Sequence, residues 1–365
     1  MNMLFEPLHS RSLDTKNRLV MSPMTRNRAV AANTPNALMA EYYGQRAGAG
    51  LIVTEGTSPS PNGLGYPRIP GIFNAAHVAG WKGVTDAVHA RGGKIFIQMM
   101  HTGRVTHVAN LPSGGLVLGP TDETCPGEMY TDASGMQPYT KPRAMNERDI
   151  AHAVSEFAHA AKLAIEAGFD GVELHAANGY LIEQFLNANV NKRTDGYGGS
   201  AEGRNRFALE VARAVAGTIG AERLGIRLSP YGIFNSTGTY PDQEAQYLAL
   251  TEELSRLGLA YLHVLDHSAM GAPPVPAEFK VKLRQAFAGA FILAGGFDAE
   301  SAERALVERR ADLIAFGRVF LANPDLVERL KLNAKLNTPD MATFYVPGPK
   351  GYTDYPALAG VKQPA

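Results

Sequence analysis

Three residues close together in the chain, His175, Asn178 and Tyr180, carry groups able to hold an oxygen atom and deliver a proton. The imidazole and the amide can each donate a hydrogen bond toward one oxygen. The phenol is a weak acid, with an unperturbed pKa of ~10. A lone histidine is more often structural; with an amide and a phenol beside it, the set points to stabilising charge on a substrate oxygen. Arg227 stands inside the apolar run Leu224-Gly225-Ile226-Arg227-Leu228. A guanidinium there is either paired internally or faces a ligand. Gln98 ends a similar run, and its amide is either a core hydrogen-bonder or a ligand contact. Gly295-Gly296 and Gly317-Arg318 each follow an apolar run. Either pair alone reads equally well as a tight turn. Together they offer close-approaching backbone N–H groups and a fixed positive charge, which suits an anion.

These groups need a frame that gathers them. Apolar runs predict strands over Arg18–Ser22, Leu51–Thr54, Lys94–Gln98, Gly171–Leu174, Leu224–Leu228, Tyr261–Leu265, Phe291–Ala294 and Leu313–Phe316. Helix-period segments fall between most of them: His77–Arg91, Glu147–Ala167, Arg204–Ile219, Gln243–Leu257, Glu278–Ala288, Ala299–Arg309 and Pro324–Asn333. Strands apolar on both faces, alternating with helices, predict a closed parallel (β/α)8 TIM barrel as a single α/β domain over 1–365. Every residue singled out above then lies at or just past the C-terminal end of a strand, where barrels build their active sites. The two glycine pairs follow strands seven and eight, the usual phosphate-holding loops. No G-x-G-x-x-G follows a strand, which argues against a Rossmann dinucleotide site.

Local signals support the helices. Asn146 can cap one, with Asp149 three residues on and Met145 and Ile150 as a staple. Asn323-Pro324 offers a second cap with proline at the first helical position. Thr106–Met145 breaks the rhythm with Gly, Pro, Ser and Thr. It reads as an excursion after the third strand that caps one barrel end, with room for a hairpin. Leu336–Ala365 is also irregular and is expected over the same mouth.

The formal net charge is +0, with no long basic run, so nucleic acid and anionic membrane surfaces are poor partners. A small-molecule substrate fits better, with the protein a monomer or homodimer. The single cysteine, Cys125, excludes an intrachain disulfide, a cysteine-rich zinc site and an iron–sulfur cluster. It reads as an incidental loop thiol, and no metal is expected. The N-terminus lacks a signal-peptide pattern, and no apolar run approaches the ~20 residues of a membrane span. A cytoplasmic protein is expected.

At these residues the chain resembles the Old Yellow Enzyme family of FMN-dependent ene-reductases, over nearly its whole length. The likeness begins at Phe5-Glu6-Pro7-Leu8 and Ser22-Pro23-Met24-Thr25-Arg26 and runs through His101-Thr102-Gly103-Arg104 and His175-Ala176-Ala177-Asn178-Gly179-Tyr180-Leu181. It continues in Arg193-Thr194-Asp195 with Tyr197-Gly198-Gly199-Ser200, in Phe316-Gly317-Arg318, and in Gly351-Tyr352-Thr353-Asp354-Tyr355-Pro356. It is similar to the branch holding bacterial N-ethylmaleimide, nitrate-ester and morphinone reductases. The resemblance implies bound FMN and NADPH or NADH as hydride donor. It implies that Pro23, Met24, Thr25, Gly56, Gln98 and Arg227 meet the flavin ring. Gly295, Gly296, Phe297, Gly317 and Arg318 would hold its phosphate end. His175 and Asn178 would bind the substrate oxygen, Tyr180 would give the proton, and Tyr66, Met100 and Tyr345 would line the pocket.

The implied reaction is a ping-pong hydride transfer through flavin N5 to activated C=C bonds of α,β-unsaturated carbonyls, maleimides and nitroalkenes, with nitrate esters or nitroaromatics as further acceptors. Met100 stands where relatives often carry Trp, and Asn178 where some carry a second His. Two other readings stand beside this one: another FMN-barrel oxidoreductase, acting on dihydroorotate or a 2-hydroxy acid, and a non-enzymatic flavin-binding redox protein.

Overall fold

The computed structural model describes residues 2–10 and 12–359, so residues 360–365 of the expected tail lie outside it. All eight expected strands form: β1 Leu19–Met21, β2 Leu51–Val53, β3 Ile95–Met99, β4 Gly171–Ala176, β5 Leu224–Leu228, β6 Tyr261–Leu265, β7 Ala290–Ala294 and β8 Leu313–Phe316. Each pairs in parallel with the next, and β8 returns to β1, closing the barrel. Side chains alternate across each strand, and the two faces enter different cores. Val20, Val53, Phe96, Tyr261, Leu265, Ile292 and Ala294 fill the barrel interior. Leu19, Met21, Ile95, Ile97, Leu174, Ile226 and Val264 face outward and pack under the helices. A short hairpin pairs Leu8–His9 with Asp14–Thr15; its Leu8 joins Leu13 in the interior core.

The helices are α1 Ala37–Gln45, α2 Ala75–His89, α3 Glu147–Glu166, α4 Leu181–Leu186, α5 Ala201–Ile219, α6 Gln243–Leu257, α7 Ala277–Ala286, α8 Ala299–Val307, α9 Arg318–Ala322 and α10 Leu326–Lys331. In α3, Asn146 and Asp149 make the expected reciprocal capping box. Ile150, Ala153, Phe157, Ala160, Ala161 and Ala164 form its buried stripe at helical spacing. Helices α1, α4 and α9 were not among the expected segments. The second expected cap fails. Asn323 does not start a helix at Pro324, because its side chain accepts from Asn337 N–H at 2.8 Å and donates to the Val319 carbonyl at 2.7 Å. The helix starts at Leu326 instead.

The excursion contains the hairpin: Glu128–Thr131 pairs antiparallel with Gly135–Pro138. Met129, Cys125, Leu111 and Tyr139 pack against Tyr66, Met100 and Tyr180. The segment from residue 336 to 359 also reaches the mouth, held there by buried arginines. Arg26 donates to the Phe344 and Gly351 carbonyls at 3.1 and 2.6 Å. Arg28 donates to the Thr343 and Lys350 carbonyls at 2.8 and 3.0 Å. Tyr42 and Tyr352 stack at 3.9 Å, with the Arg46 guanidinium 3.8 Å from the Tyr42 ring.

Gly351 makes this strap possible. Its φ is +63°, and a Cβ there would lie 1.8 Å from Thr343 Oγ1. Gly351→Ala is expected to destabilise the fold by at least ~1–2 kcal/mol, the usual cost of a left-handed L-residue before the clash is added. Thermal melting and limited proteolysis check this: Tm should drop and cleavage should concentrate after residue 335.

Candidate active site

Polar residues on the barrel's inner face are confined to four adjacent strands. Gln98 on β3, Glu173 and His175 on β4, Arg227 on β5 and His263 on β6 all point inward by strand alternation. Register places Gln98 beside Glu173, His175 beside Arg227, and Arg227 beside His263. Glu173 is fully buried and accepts from Gln98 Nε2 at 2.8 Å and Tyr261 OH at 3.0 Å; His263 Nδ1 lies 2.9 Å away. Burial pushes its carboxyl up, but His263, Arg227 and Gln98 outweigh this and hold it below the usual range. Arg227 forms no ion pair or hydrogen bond among the described residues, and its buried Nε finds no acceptor. The internal-salt-bridge reading of Arg227 therefore falls away.

His175 is buried, and its Nδ1 accepts the Ala177 N–H at 3.3 Å. That leaves the ring proton on Nε2, as a donor. Burial first, then Arg227, His263 and His267, hold the imidazole well below its ordinary pKa, so it is neutral. Asn178 adopts φ +60°. Its N–H donates to Ser229 Oγ at 2.9 Å and its carbonyl accepts from Asn235 Nδ2 at 2.7 Å. Tyr180 is the residue just before α4. Its ring meets His175 edge-on at 4.8 Å, and its hydroxyl lies 3.1 Å from that of Tyr66. Burial pushes the Tyr180 phenol up to about 12.

These groups line one cavity of about 560 Å3 at the C-terminal mouth. Pro23, Met24, Thr25, Gln98, Arg227, Tyr66, Met100, His175, Asn178, Tyr180 and Tyr345 face it. So do Gly295, Gly296, Phe297, Gly317 and Arg318. Gly56 is the exception. It lies behind Met100, where an added Cβ would come within 2.5 Å of the Met100 Sδ. It makes room for Met100. Gly295 and Gly296 take φ +118° and +71°, conformations that favour glycine. Arg318 is exposed, with no carboxylate partner among the described residues. A cavity lined by an unpartnered guanidinium, by glycine backbone and by Arg318 fits a flat ring carrying a phosphate.

The description NADH:flavin oxidoreductase / NADH oxidase family matches residues 3–337. The chain belongs to that family. A solved morphinone reductase superposes with a TM-score of 0.94 at 45% identity, covering 98% of this chain and 96% of that one. Among curated proteins, chanoclavine-I aldehyde reductase of Penicillium roqueforti is 43% identical over 97% of this chain and 96% of its own length. 12-Oxophytodienoate reductase 7 of Oryza sativa is 41% identical over 98% and 95%. As a member of this flavin oxidoreductase family the chain is an NAD(P)H-dependent FMN enzyme of the alkene-reductase type. Membership decides against the other FMN-barrel and the non-catalytic readings. No helix among the described residues is long and apolar enough to cross a membrane.

Some cavity and supporting residues escaped the sequence reading as site members. Phe234, Asn235 and His267 line the cavity. Glu173 and Glu183 lie behind it. Glu173 sits in an expected strand and Glu183 in a helix that was not expected, and neither carries a motif of its own. Glu173 was findable from strand alternation, two residues before His175.

The burial of neutral His175 has a pH consequence. The unfolded side chain protonates near ~6.5 and the folded one far lower, so folding weakens as pH drops below ~6.5. Nitrogen-15 histidine spectra between pH 5 and 8 should show His175 fixed as the neutral Nε2–H form. A titration with a midpoint near ~6.5 would contradict this assignment.

Proposed function

We propose that this enzyme reduces the electron-poor C=C bond of α,β-unsaturated carbonyls, maleimides and nitroalkenes, and accepts nitrate esters or nitroaromatics as further substrates. The observation that carries the reading is the wall formed by His175, Asn178 and Tyr180. It sets an uncharged oxygen-binding donor beside a phenol kept protonated at neutral pH. FMN, when bound, supplies the two-electron chemistry, relaying a hydride from NAD(P)H to the substrate's β-carbon. Pro23, Met24, Thr25, Gln98 and Arg227 would hold its ring. Gly295, Gly296, Phe297, Gly317 and Arg318 would hold its phosphate. We assign no ring contact to Gly56.

His175 Nε2–H and the Asn178 amide bind the activating oxygen and stabilise charge that grows there as the double bond is attacked. Donors fixed in advance, in a site that excludes water, are worth more than the same donors in solution. Because neither titrates near neutrality, their donor strength is constant across physiological pH. Tyr180 delivers the proton to the α-carbon, and Tyr66, 3.1 Å from its hydroxyl, is placed to steady it. Met100, pliable and buried, shapes the pocket's inner side. The assembly we propose is a monomer or homodimer acting in the cytoplasm.

Tyr180→Phe tests the assignment, since it removes the proton and little volume. Reduction of 2-cyclohexenone should slow by ~10²–10⁴-fold, the usual general-acid contribution. Flavin reduction by NADPH should barely change, and nitrate-ester reduction should be spared, since neither needs a proton on carbon. Stopped-flow measurement of both half-reactions decides it. Equal slowing of both would assign Tyr180 a shaping role, and normal enone reduction would assign the proton to another donor.

A further inference from the structure

The loop after β4 is held in an unusual shape. Asn178 and Gly179 lie consecutively in the left-handed region, at φ +60° and +76°. For an L-residue such as asparagine this conformation carries a cost, so something must hold it. Their N–H groups connect to one carboxylate, one directly and the other through a serine hydroxyl. Gly179 N–H donates to Glu183 Oε2 at 2.5 Å. Asn178 N–H donates to Ser229 Oγ at 2.9 Å, and the Ser229 hydroxyl in turn donates to Glu183 Oε1 at 2.9 Å. Tyr247 OH, from α6, donates to the same oxygen at 3.2 Å. Glu183 sits in the first turn of α4, directly after Tyr180, and is 1% exposed.

We infer that Glu183 is a positioning residue: through Gly179 and the Ser229 relay it sets where Asn178 and Tyr180 stand against the substrate. The inference rests on the roles proposed above for that wall. An ionised carboxylate can accept all three donors at once. A protonated one must give its own O–H to a partner, so one hydroxyl has to turn and the loop loosens. Burial pushes the Glu183 carboxyl up to about 7, opposed only by hydrogen bonds from Gly179, Ser229 and Tyr247. The titratable groups facing it are Tyr247 on α6 and Tyr240 just before α6. Burial keeps both phenols above their ordinary range and so protonated. His175 and Tyr180 themselves do not titrate near neutrality. A pH step near 7 in the substrate half-reaction would therefore belong to neither of them.

The test uses the FMN-loaded full chain. Titration with p-hydroxybenzaldehyde gives a long-wavelength charge-transfer band that reports the substrate wall, and stopped flow gives the rate of flavin reoxidation by 2-cyclohexenone. Glu183→Gln is expected to weaken p-hydroxybenzaldehyde binding about tenfold and slow reoxidation by about 10–100-fold, as misplacement on the ångström scale does. In the unaltered protein the reoxidation rate should fall below pH ~7, and Glu183→Gln should abolish that step. Ser229→Ala, which deletes only the relaying hydroxyl, should reproduce the weaker binding. The double variant should be no worse than the single ones, since both act through one path. Additive losses, a pH step that persists in Glu183→Gln, or normal binding in Ser229→Ala would each overturn the inference. The band itself should be present in the unaltered protein and lost in His175→Ala. If it is absent from the unaltered protein, the reading of the wall falls, and this inference with it.

Discussion

A guanidinium buried inside the barrel without a hydrogen-bonded partner is the constraint on which the site depends. Removing such an ion from water costs several kcal/mol unless something compensates it. Arg227 has its compensation one layer away. Glu173, on the neighbouring strand, is kept anionic by Gln98, Tyr261 and His263, so it balances the cation without occupying its donors. The donors of Arg227 remain free for a ligand. A direct ion pair would have been easier to bury and would have left nothing to offer.

This arrangement explains why polarity is confined to one arc of the barrel interior. The inward positions of β3 to β6 carry Gln98, Glu173, His175, Arg227 and His263, while those of β7, β8, β1 and β2 are apolar or small. A charge pair of this kind is strong only in a low dielectric, so the mouth must be covered. The excursion and the segment from residue 336 to 359 do this, and Arg26, Arg28 and Arg46 tie the latter down through backbone carbonyls. The same coverage keeps His175 neutral and the Tyr180 phenol protonated. The fixed charge below the cavity and the uncharged acid and donors above it thus share one cause, the exclusion of water.

Much of this was legible in the sequence, for identifiable reasons. Each barrel strand is a short apolar run with both faces buried, so all eight could be located, and α3 announced itself through Asn146 and Asp149. That His175, Asn178 and Tyr180 share one cavity wall was legible because they are close in sequence. Contacts between distant segments were not. Arg26 meets Phe344 and Gly351, and Asn323 meets Asn337, and no local pattern marks either pair. Helices α4 and α9 are too short to show a period, and α1 mixes buried Tyr42 and Tyr43 with a weak polar face. Glu183 was hidden for another reason. An acid in the first turn of a helix normally reads as a solvated dipole partner, and only the packing of α4 against the barrel shows it to be buried.

The central claim is that Arg227 acts as a positive charge whose donors stay free for the bound cofactor. The most direct measurement is the midpoint potential of bound FMN in Arg227→Met, which keeps a long side chain and removes the charge. Anaerobic titration against an indicator dye reports it, provided absorbance confirms that FMN is still held. The account predicts a potential lower than in the unaltered enzyme, because the negative charge added on reduction loses its stabilising partner. A potential that stays the same or rises, with FMN fully bound, would contradict it.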